Sequence, residues 1–273
     1  MLQKTEAIVL HSLKYGEQRV IVDMFTRSHG RLAFIVPLPR SARSTLKKQY
    51  FQPLTLLTIE MDVRPQQQLQ KLKDASLLSP LSALLSTPDK LAIGLFVAEF
   101  LYHALKGEQQ NEPLFEYVLS SLQWLDGAPD RYANFHLVFL MRLSRFLGFY
   151  PNLEERGRRS EEGGRRNEEG GAREEERGRR NEEGGARREE QRFFDLRAAS
   201  FCVAPPLHRD FLMPAEASRL RLLMRMDYAT MHLFRLSRTE RNRIVELLLL
   251  YYRIHLPDFP ELRSLGVLHE LFQ

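Results

Sequence analysis

Cysteine is almost absent from this chain of 273 residues, which contains one, Cys202. One thiol cannot form an intramolecular disulfide or a cysteine-cluster zinc site, so the composition favours a reducing compartment and predicts no bound metal. Long apolar runs are also missing: the most hydrophobic stretch, residues 91–105, is too short to span a bilayer and contains Glu99. Because residues 1–9 lack a signal-peptide pattern, we expect a soluble cytoplasmic protein without membrane contact.

The short motifs of common catalytic sites are missing as well. The sequence contains no GxxxxGK[ST] phosphate loop, no GxGxxG after a strand, no HExxH and no GxSxG. Its eight histidines are scattered along the chain without the spacing of a metal-binding set. Asp23 lies in a strand-like segment, and no second carboxylate has a spacing that would place it alongside. We therefore predict a protein that is not an enzyme, with no catalytic residue and no cofactor.

What is present at the N-terminus is strand periodicity. Alternating apolar residues mark three strands, TEAIVLHSL, QRVIVDMFT and GRLAFIVPL, and two more follow at about residues 52–62 and 68–78. Five short strands with one long loop between the third and the fourth suit an OB barrel, although a small open sheet gives a similar pattern. We assign residues 1–80 to a five-stranded OB-fold domain.

After Pro80 the apolar period changes from two to about 3.6, the period of a helix. Residues 193–206 look extended, and the start signals predict helices at Asp89, Pro113, Pro129, Pro214, Ser237 and Pro260, with the fourth running to Phe234. Residues 81–154 and 193–273 are predicted to pack together as one α-helical domain. The predicted fold class is therefore α+β.

Residues 155–192 differ in composition from everything around them, with five heptapeptide units built from Arg, Glu and Gly. The units offer no apolar seam for a coiled coil, and each glycine would cost roughly 1 kcal/mol in a helix. With nothing to bury, this insert is predicted to be disordered. Its twelve Arg and twelve Glu cancel, so we expect an inert linker, with a weak polyampholyte contact as the alternative.

The positive charge is concentrated in the first eighty residues, which contain twelve Lys and Arg against six acidic residues, while the whole chain carries +5. A localised basic patch favours a polyanionic partner. Each cation alone fits an ordinary solvated loop residue, but together they predict a nucleic-acid-binding surface. Its candidate residues are Lys14, Arg19, Arg27, Arg31, Arg40, Arg43, Lys47 and Lys48, with Tyr15, Phe25, Tyr50 and Phe51 as candidates for base stacking.

The run KTEAIVLHSLKYGEQRVIVDMFTRSHGRLAFIV, followed by SARSTLKKQYFQPLTLLTI, closely resembles the N-terminal domain of the RecO family. The segments RFLGFYPNLE and FFDLRAASF…LMP extend the resemblance more loosely over most of the chain outside the repeat. It implies an OB fold followed by a helical domain, and binding of single- and double-stranded DNA without sequence preference. It also implies strand annealing and, with RecR, loading of RecA onto DNA coated by single-strand DNA-binding protein, in the cytoplasm at the nucleoid.

Two departures from the family pattern stand out. Many members carry a four-cysteine zinc site after the central helices, where this chain has the repeat and later only Cys202, so it would be a zinc-free member. The glycine that precedes AR in the family's basic loop is Ser41 here, after Pro39 and Arg40. The charge of the loop is unaffected by this difference.

The resemblance also implies a site for the acidic, hydrophobic tail of single-strand DNA-binding protein. Arg142 and Arg145 share a helix face at i, i+3, and Leu143, Phe146 and Leu147 beside them are predicted to form an apolar floor. Without the resemblance, the two arginines read as a solvated helix edge. An OB-fold RNA-binding module, associated with tRNA or the ribosome, is the alternative function, and a nuclease ranks third because it needs a divalent-metal site.

Overall fold

The computed structural model describes residues 2–37, 46–64, 66–152 and 192–271. Its N-terminal part is a closed barrel in the strand order β1-β2-β3-β5-β4, which excludes the open-sheet alternative. All neighbouring strands are antiparallel except β3 and β5, which close the barrel in parallel. The strands are β1 (Leu2–Tyr15), β2 (Arg19–Thr26), β3 (Gly30–Pro37), β4 (Leu56–Asp62) and β5 (Leu69–Ser79).

The apolar side chains of these strands pack on both faces of the barrel wall. One set of side chains, including Val9, Val22, Phe34 and Ile59, is buried in the barrel interior. A 3-10 helix, Lys48–Phe51, lies between β3 and β4 and contributes Phe51 to the same core. The pattern therefore specifies a small domain whose interior is filled by side chains rather than by a ligand.

The rest of the described chain is mainly helical, and none of its helices has the length and apolar content needed to cross a membrane. A three-stranded sheet in the order β7-β6-β8 separates the two groups of helices along the chain. The elements are α1 (Ser82–Ser86), α2 (Pro88–Ala104), α3 (Glu112–Gly127), α4 (Phe135–Phe146), β6 (Phe193–Asp195), β7 (Ser200–Cys202), β8 (Phe211–Leu212), α5 (Pro214–Arg225), α6 (Arg238–His255) and α7 (Leu265–His269).

Helices from before residue 153 and from after residue 191 share one hydrophobic core. Tyr252 of α6 packs edge-on against Phe100 of α2, with ring centroids 4.7 Å apart, and its hydroxyl donates to the carbonyl of Leu140 at 2.8 Å. Buried side chains on the outer side of the barrel wall, such as Phe25, join this core, where Phe25 lies 5.5 Å from Phe115 of α3. The heptapeptide repeat, apart from its last residue, Arg192, lies outside the described residues.

Some predicted helix limits are wrong, and the structure gives the reasons. The helix that begins at Pro214 ends at Arg225 rather than Phe234, because the Asp227 carboxylate accepts from the backbone N–H and the hydroxyl of Thr230 and closes a turn. The third helix begins at Phe135 instead of Pro129 and follows Arg131, which has a φ of 61°. The short helix α1 follows Leu81 and has no side-chain cap, so no start signal in the sequence marks it.

The last helix is also shorter than predicted. It spans Leu265–His269 and does not begin at Pro260, because the Glu99 carboxylate of α2 accepts from the backbone N–H groups of Arg263 and Ser264. These bonds hold the segment before α7 against α2. By contrast, the predicted start of α6 is confirmed: Ser237 and Glu240 form a reciprocal capping box.

Candidate nucleic-acid interface

The hairpin between β1 and β2 presents two of the predicted cations to solvent. Lys14 pairs with Val20, and Tyr15 pairs with Arg19, so both cations lie at the tip of the hairpin. Gly16 makes the turn possible because its φ of 67° lies in the left-handed region. Lys14 and Arg19 are exposed, and neither has an acidic partner among the described residues.

Lys47 and Lys48 supply a second exposed pair where the chain enters the 3-10 helix. The Lys47 ammonium group lies 5.8 Å from the centroid of the Tyr50 ring, which holds the cation close to the barrel wall. Arg40 and Arg43, which precede this pair in the sequence, lie outside the described residues. Their predicted DNA contacts therefore stay predictions.

An open cleft of about 510 Å³ lies between these two groups of cations. Its wall combines Ser12 of β1, Val20 of β2 and the 3-10 helix with the residues after it. Lys48 itself is one of the lining residues. Hence the hairpin and the 3-10 helix, which are separated in sequence, border one concave surface at one end of the barrel.

The outer face of the barrel, on the other side of the sheet from Ser12 and Val20, carries an exposed cation that the sequence analysis missed. Leu13, Ile21, Ile35 and Lys71 are register partners across four neighbouring strands and so lie in one row. Leu13 is 56% exposed, and Lys71 is also exposed. The alternation of QLQKLKDA does predict an outward Lys71, but its position beside β3 follows only from the parallel pairing.

Arg27 belongs to a different surface from the one predicted. Its guanidinium group hydrogen-bonds to Glu6 at 2.9 Å, to Glu112 at 3.2 Å and to Glu116, and it lies 4.8 Å from the ring centroid of Phe115. Burial opposes the charged form, but the bonds to Glu6 and Glu116 outweigh it and raise the pKa of Arg27. Because three carboxylates already neutralise this arginine, it joins the barrel to α3 and offers little to a phosphate.

Arg31 is used in a similar way at the contact with α2. Its guanidinium group bonds to the carboxylate of Asp23 at 2.9 Å, donates to the carbonyl of Tyr102 and lies 4.3 Å from the Tyr102 ring centroid. The backbone N–H of Arg31 donates to the carbonyl of Glu108 at 3.0 Å. Both arginines thus have partners at the junction between barrel and helices, and their predicted contact with a nucleic acid stays a prediction.

The aromatic candidates for base stacking divide in the same manner. Tyr15 is 53% exposed at the hairpin tip, next to Arg19. Phe25 is buried against α3 and cannot reach a base. Tyr50 is half-buried, and Phe51 is buried but borders the cleft. Tyr15 and the residues around the cleft are therefore the aromatic groups that a strand could contact.

At the predicted partner site on α4, the two arginines are exposed or partly exposed, but one residue of the predicted apolar floor is not. Arg145 is exposed, with its guanidinium carbon 4.5 Å from the centroid of the Tyr150 ring, and Phe146 stacks on Tyr117 at 4.9 Å. Arg142 donates to the carbonyl of Met226 at 3.3 Å, which ties α4 to the end of α5. Leu143 is fully buried in the core, so it is not part of any floor, while Leu147 is half-buried.

In the part of the chain that the structure describes, no group of three or more His, Cys, Asp or Glu side chains is arranged to hold a metal ion. The barrel offers exposed cations at the β1–β2 hairpin and at the 3-10 helix, a cleft bordered by these two elements, and Lys71 on its outer face. A closed five-stranded barrel with such an end, attached to a helical domain, is an arrangement typical of OB-fold proteins that bind nucleic acids.

The comparisons with known proteins define the family. The family model described as "Recombination protein O N terminal" matches residues 1–81, and the model "Recombination protein O C terminal" matches residues 85–265. The chain is 47% identical over 272 residues to a DNA repair protein RecO of Phocaeicola vulgatus and 46% identical over 273 residues to one of Bacteroides fragilis. Each alignment covers 100% of both chains. The chain therefore belongs to the RecO family of DNA repair proteins, which confirms the resemblance seen in the sequence.

Proposed function

We propose that this protein binds single- and double-stranded DNA without base preference and anneals complementary strands, acting as a mediator rather than an enzyme. The binding surface consists of Lys14, Arg19, Lys47, Lys48 and Lys71. The observation that supports it is the contrast between these exposed cations, which have no acidic partner among the described residues, and the fully engaged Arg27 and Arg31.

The mechanism is electrostatic. Each cation that neutralises a phosphate releases condensed counterions, so the affinity depends on salt and hardly on sequence. Two strands held at one cationic surface repel each other less, which favours pairing between them. This mechanism requires no nucleotide hydrolysis and no metal ion.

The same proposal assigns the protein contacts to the helical part. Arg145, Phe146 and Tyr150 of the α4 end, with Arg142 beside them, receive the acidic, hydrophobic tail of single-strand DNA-binding protein. Together with RecR, the protein then assists loading of RecA onto the coated strand, in the cytoplasm at the nucleoid. The family membership supports these partners, and the exposed Arg145 supports the tail contact.

An annealing assay with complementary oligonucleotides tests the core of the proposal. We expect the purified full chain to speed annealing equally with and without added nucleotide or divalent metal. In the same series, structured RNA competes against single-stranded DNA for binding. Stronger binding of the RNA would favour a tRNA- or ribosome-associated role, and cleavage of the oligonucleotides on metal addition would indicate a nuclease. Either result would overturn the mediator function.

A further inference from the structure

The cleft at the barrel end has a chemistry that phosphate binding does not use. Its apolar lining comes from Val20, Phe51 and Pro53, which are half-buried or buried. Its polar lining includes the side chains of Gln49 and Gln52, both exposed. Neither of these two amide groups has a hydrogen-bond partner among the described residues. The lining thus combines three apolar side chains with two exposed amides that can still donate and accept hydrogen bonds.

Two lysines lie at or near the cleft. Lys48 lines it directly, and Lys14 pairs with Val20, so its side chain lies on the same side of the sheet as Val20. Ser12, two residues before Lys14, lines the cleft from that side too. A negative charge attached to a group in the cleft would therefore lie close to these two lysines.

The combination restricts the ligand. Apolar walls favour a flat hydrophobic body, a side-chain amide can donate to and accept from the edge of a heterocycle, and the cations favour an attached phosphate. The volume of about 510 Å³ lies within the usual range for small-ligand clefts of about 300–1,000 Å³. A nucleotide unit has all three properties.

We propose that this cleft receives one unpaired base of a single-stranded nucleic acid, while Lys14 and Lys48 contact the adjoining phosphates. The inference rests on the proposed DNA binding and adds a preference to it. A paired base presents its hydrogen-bonding edge to its partner and is stacked on its neighbours, so only a single strand, or a base turned out of a duplex, can fill the cleft.

The test uses two oligonucleotides with the same number of phosphates, one of natural sequence and one made of abasic units. For the unaltered full chain we expect about tenfold tighter binding of the natural strand. In the double variant Gln49→Ala/Gln52→Ala this preference should fall to below about threefold, with binding of duplex DNA unchanged. Gln110→Ala, an exposed glutamine of the loop between α2 and α3, is the matched control and should keep the full preference.

Photocrosslinking locates the base independently of the variants. A strand containing 5-iododeoxyuridine should crosslink to residues 48–53, and mass spectrometry of the peptides identifies the position. Equal binding of natural and abasic strands by the unaltered chain, or crosslinks only outside the cleft, would overturn the inference and leave DNA binding intact. Failure to bind either strand would instead refute the proposed function itself.

Discussion

Arg31 on β3 packs its guanidinium group against the ring of Tyr102 on α2, 4.3 Å from the ring centroid. On its other side the same group is bonded to Asp23 at 2.9 Å, and the side chains of Arg31 and Asp23 are 14% and 12% exposed. A cation in this position is largely withdrawn from water and satisfied from within the chain. Arg31 therefore holds the barrel to the helical part.

Replacing Arg31 by alanine should lower the free energy of unfolding by about 3 kcal/mol, because the carboxylate of Asp23 then stays at the junction without its main partner. Urea denaturation measures the decrease. The matched control is Arg19→Ala, an exposed cation whose removal should change stability by less than about 0.5 kcal/mol. If Arg31→Ala instead weakened DNA binding at unchanged stability, Arg31 would be a phosphate contact after all.

The turn between β2 and β3 leads to a second prediction about the same junction. Gly30 has a φ of 67°, and a Cβ atom there would lie 2.3 Å from the carbonyl oxygen of Glu108. Gly30→Ala should therefore destabilise the fold by at least about 2 kcal/mol, from backbone strain and a clash with main-chain atoms. In thermal unfolding, Gly107→Ala separates the two causes, because Gly107 has a φ of 82° but open space around it. Equal destabilisation by both variants would contradict the close approach of Glu108.

His136 gives the fold a predictable acid sensitivity. Burial, and then the charges of Arg241 and His269, lower its pKa from 6.5 to about 3. Below pH 6.5 the unfolded chain takes up a proton on this histidine that the folded chain does not, so stability falls as the pH decreases towards 3.

The His136 contribution to the slope should approach about 1.4 kcal/mol per pH unit between these limits. Urea unfolding from pH 7 to 4 should show a shallower dependence in His136→Leu than in the unaltered chain. The exposed His232 provides the control, because His232→Leu removes an imidazole from the surface and none from the core. An unchanged slope in His136→Leu would mean that the ring is accessible to protons in the folded chain.

The barrel-end cations predict a change in salt dependence. The test variant replaces four cations by alanine: Lys14, Arg19, Lys47 and Lys48. On duplex DNA, the slope of log affinity against log salt should become smaller by about 0.9 for each phosphate that is no longer neutralised. Titrations at several salt concentrations measure the slope. Four exposed cations of the helical part provide a variant of equal charge change that should keep the slope: Lys106, Arg209, Arg235 and Arg253. Equal effects of the two variants would show that net charge alone determines binding.

The end of α4 predicts a separable partner effect. Arg145→Ala should weaken binding of an acidic tail peptide about tenfold, since it removes a charge-assisted hydrogen bond, and should spare annealing of naked strands. The effect is measured as the rate of annealing on DNA coated with single-strand DNA-binding protein, compared with the rate on naked DNA. Arg253→Ala, an exposed arginine of α6, is the control. Because Arg142 also contacts Met226, its alanine variant needs a stability measurement beside it. An equal decrease on coated and naked DNA would rule out the partner site.

The sequence predicts the barrel well because each strand carries its own evidence. The alternation in TEAIVLHSL or GRLAFIVPL indicates which side chains face inwards. Five strands that each have one apolar face can close into a small barrel whose interior those faces fill. The capping box of Ser237 and Glu240 is equally local and follows from spacing alone. Features that depend on neighbours within four residues are thus visible in the sequence.

The candidate site is predicted less well from the sequence, because residues far apart in the chain determine which cations are free to bind DNA. Arg27 flanks a turn just as Arg19 does, and only the positions of Glu112 and Glu116, far along the chain, show that Arg27 is already neutralised. Lys71 was missed for the converse reason, since only the parallel pairing of β3 with β5 places it beside Ile35 on the outer face of the barrel. The sequence shows which residues are charged, but only the folded chain shows which of them lack an internal ion-pair partner and can bind a phosphate.

The chain leaves the described region at Asn152 and returns at Arg192, and both junctions belong to one small sheet. Asn152 bridges to Ser200 on β7, its backbone N–H donates to the carbonyl of Ala199 at 2.7 Å, and β6 begins at Phe193 beside β7. These interactions place Asn152 and the start of β6 beside the same strand, β7. A domain fused between these two points would therefore begin and end beside one strand, so a fluorescent label whose own termini lie close together suits this protein best.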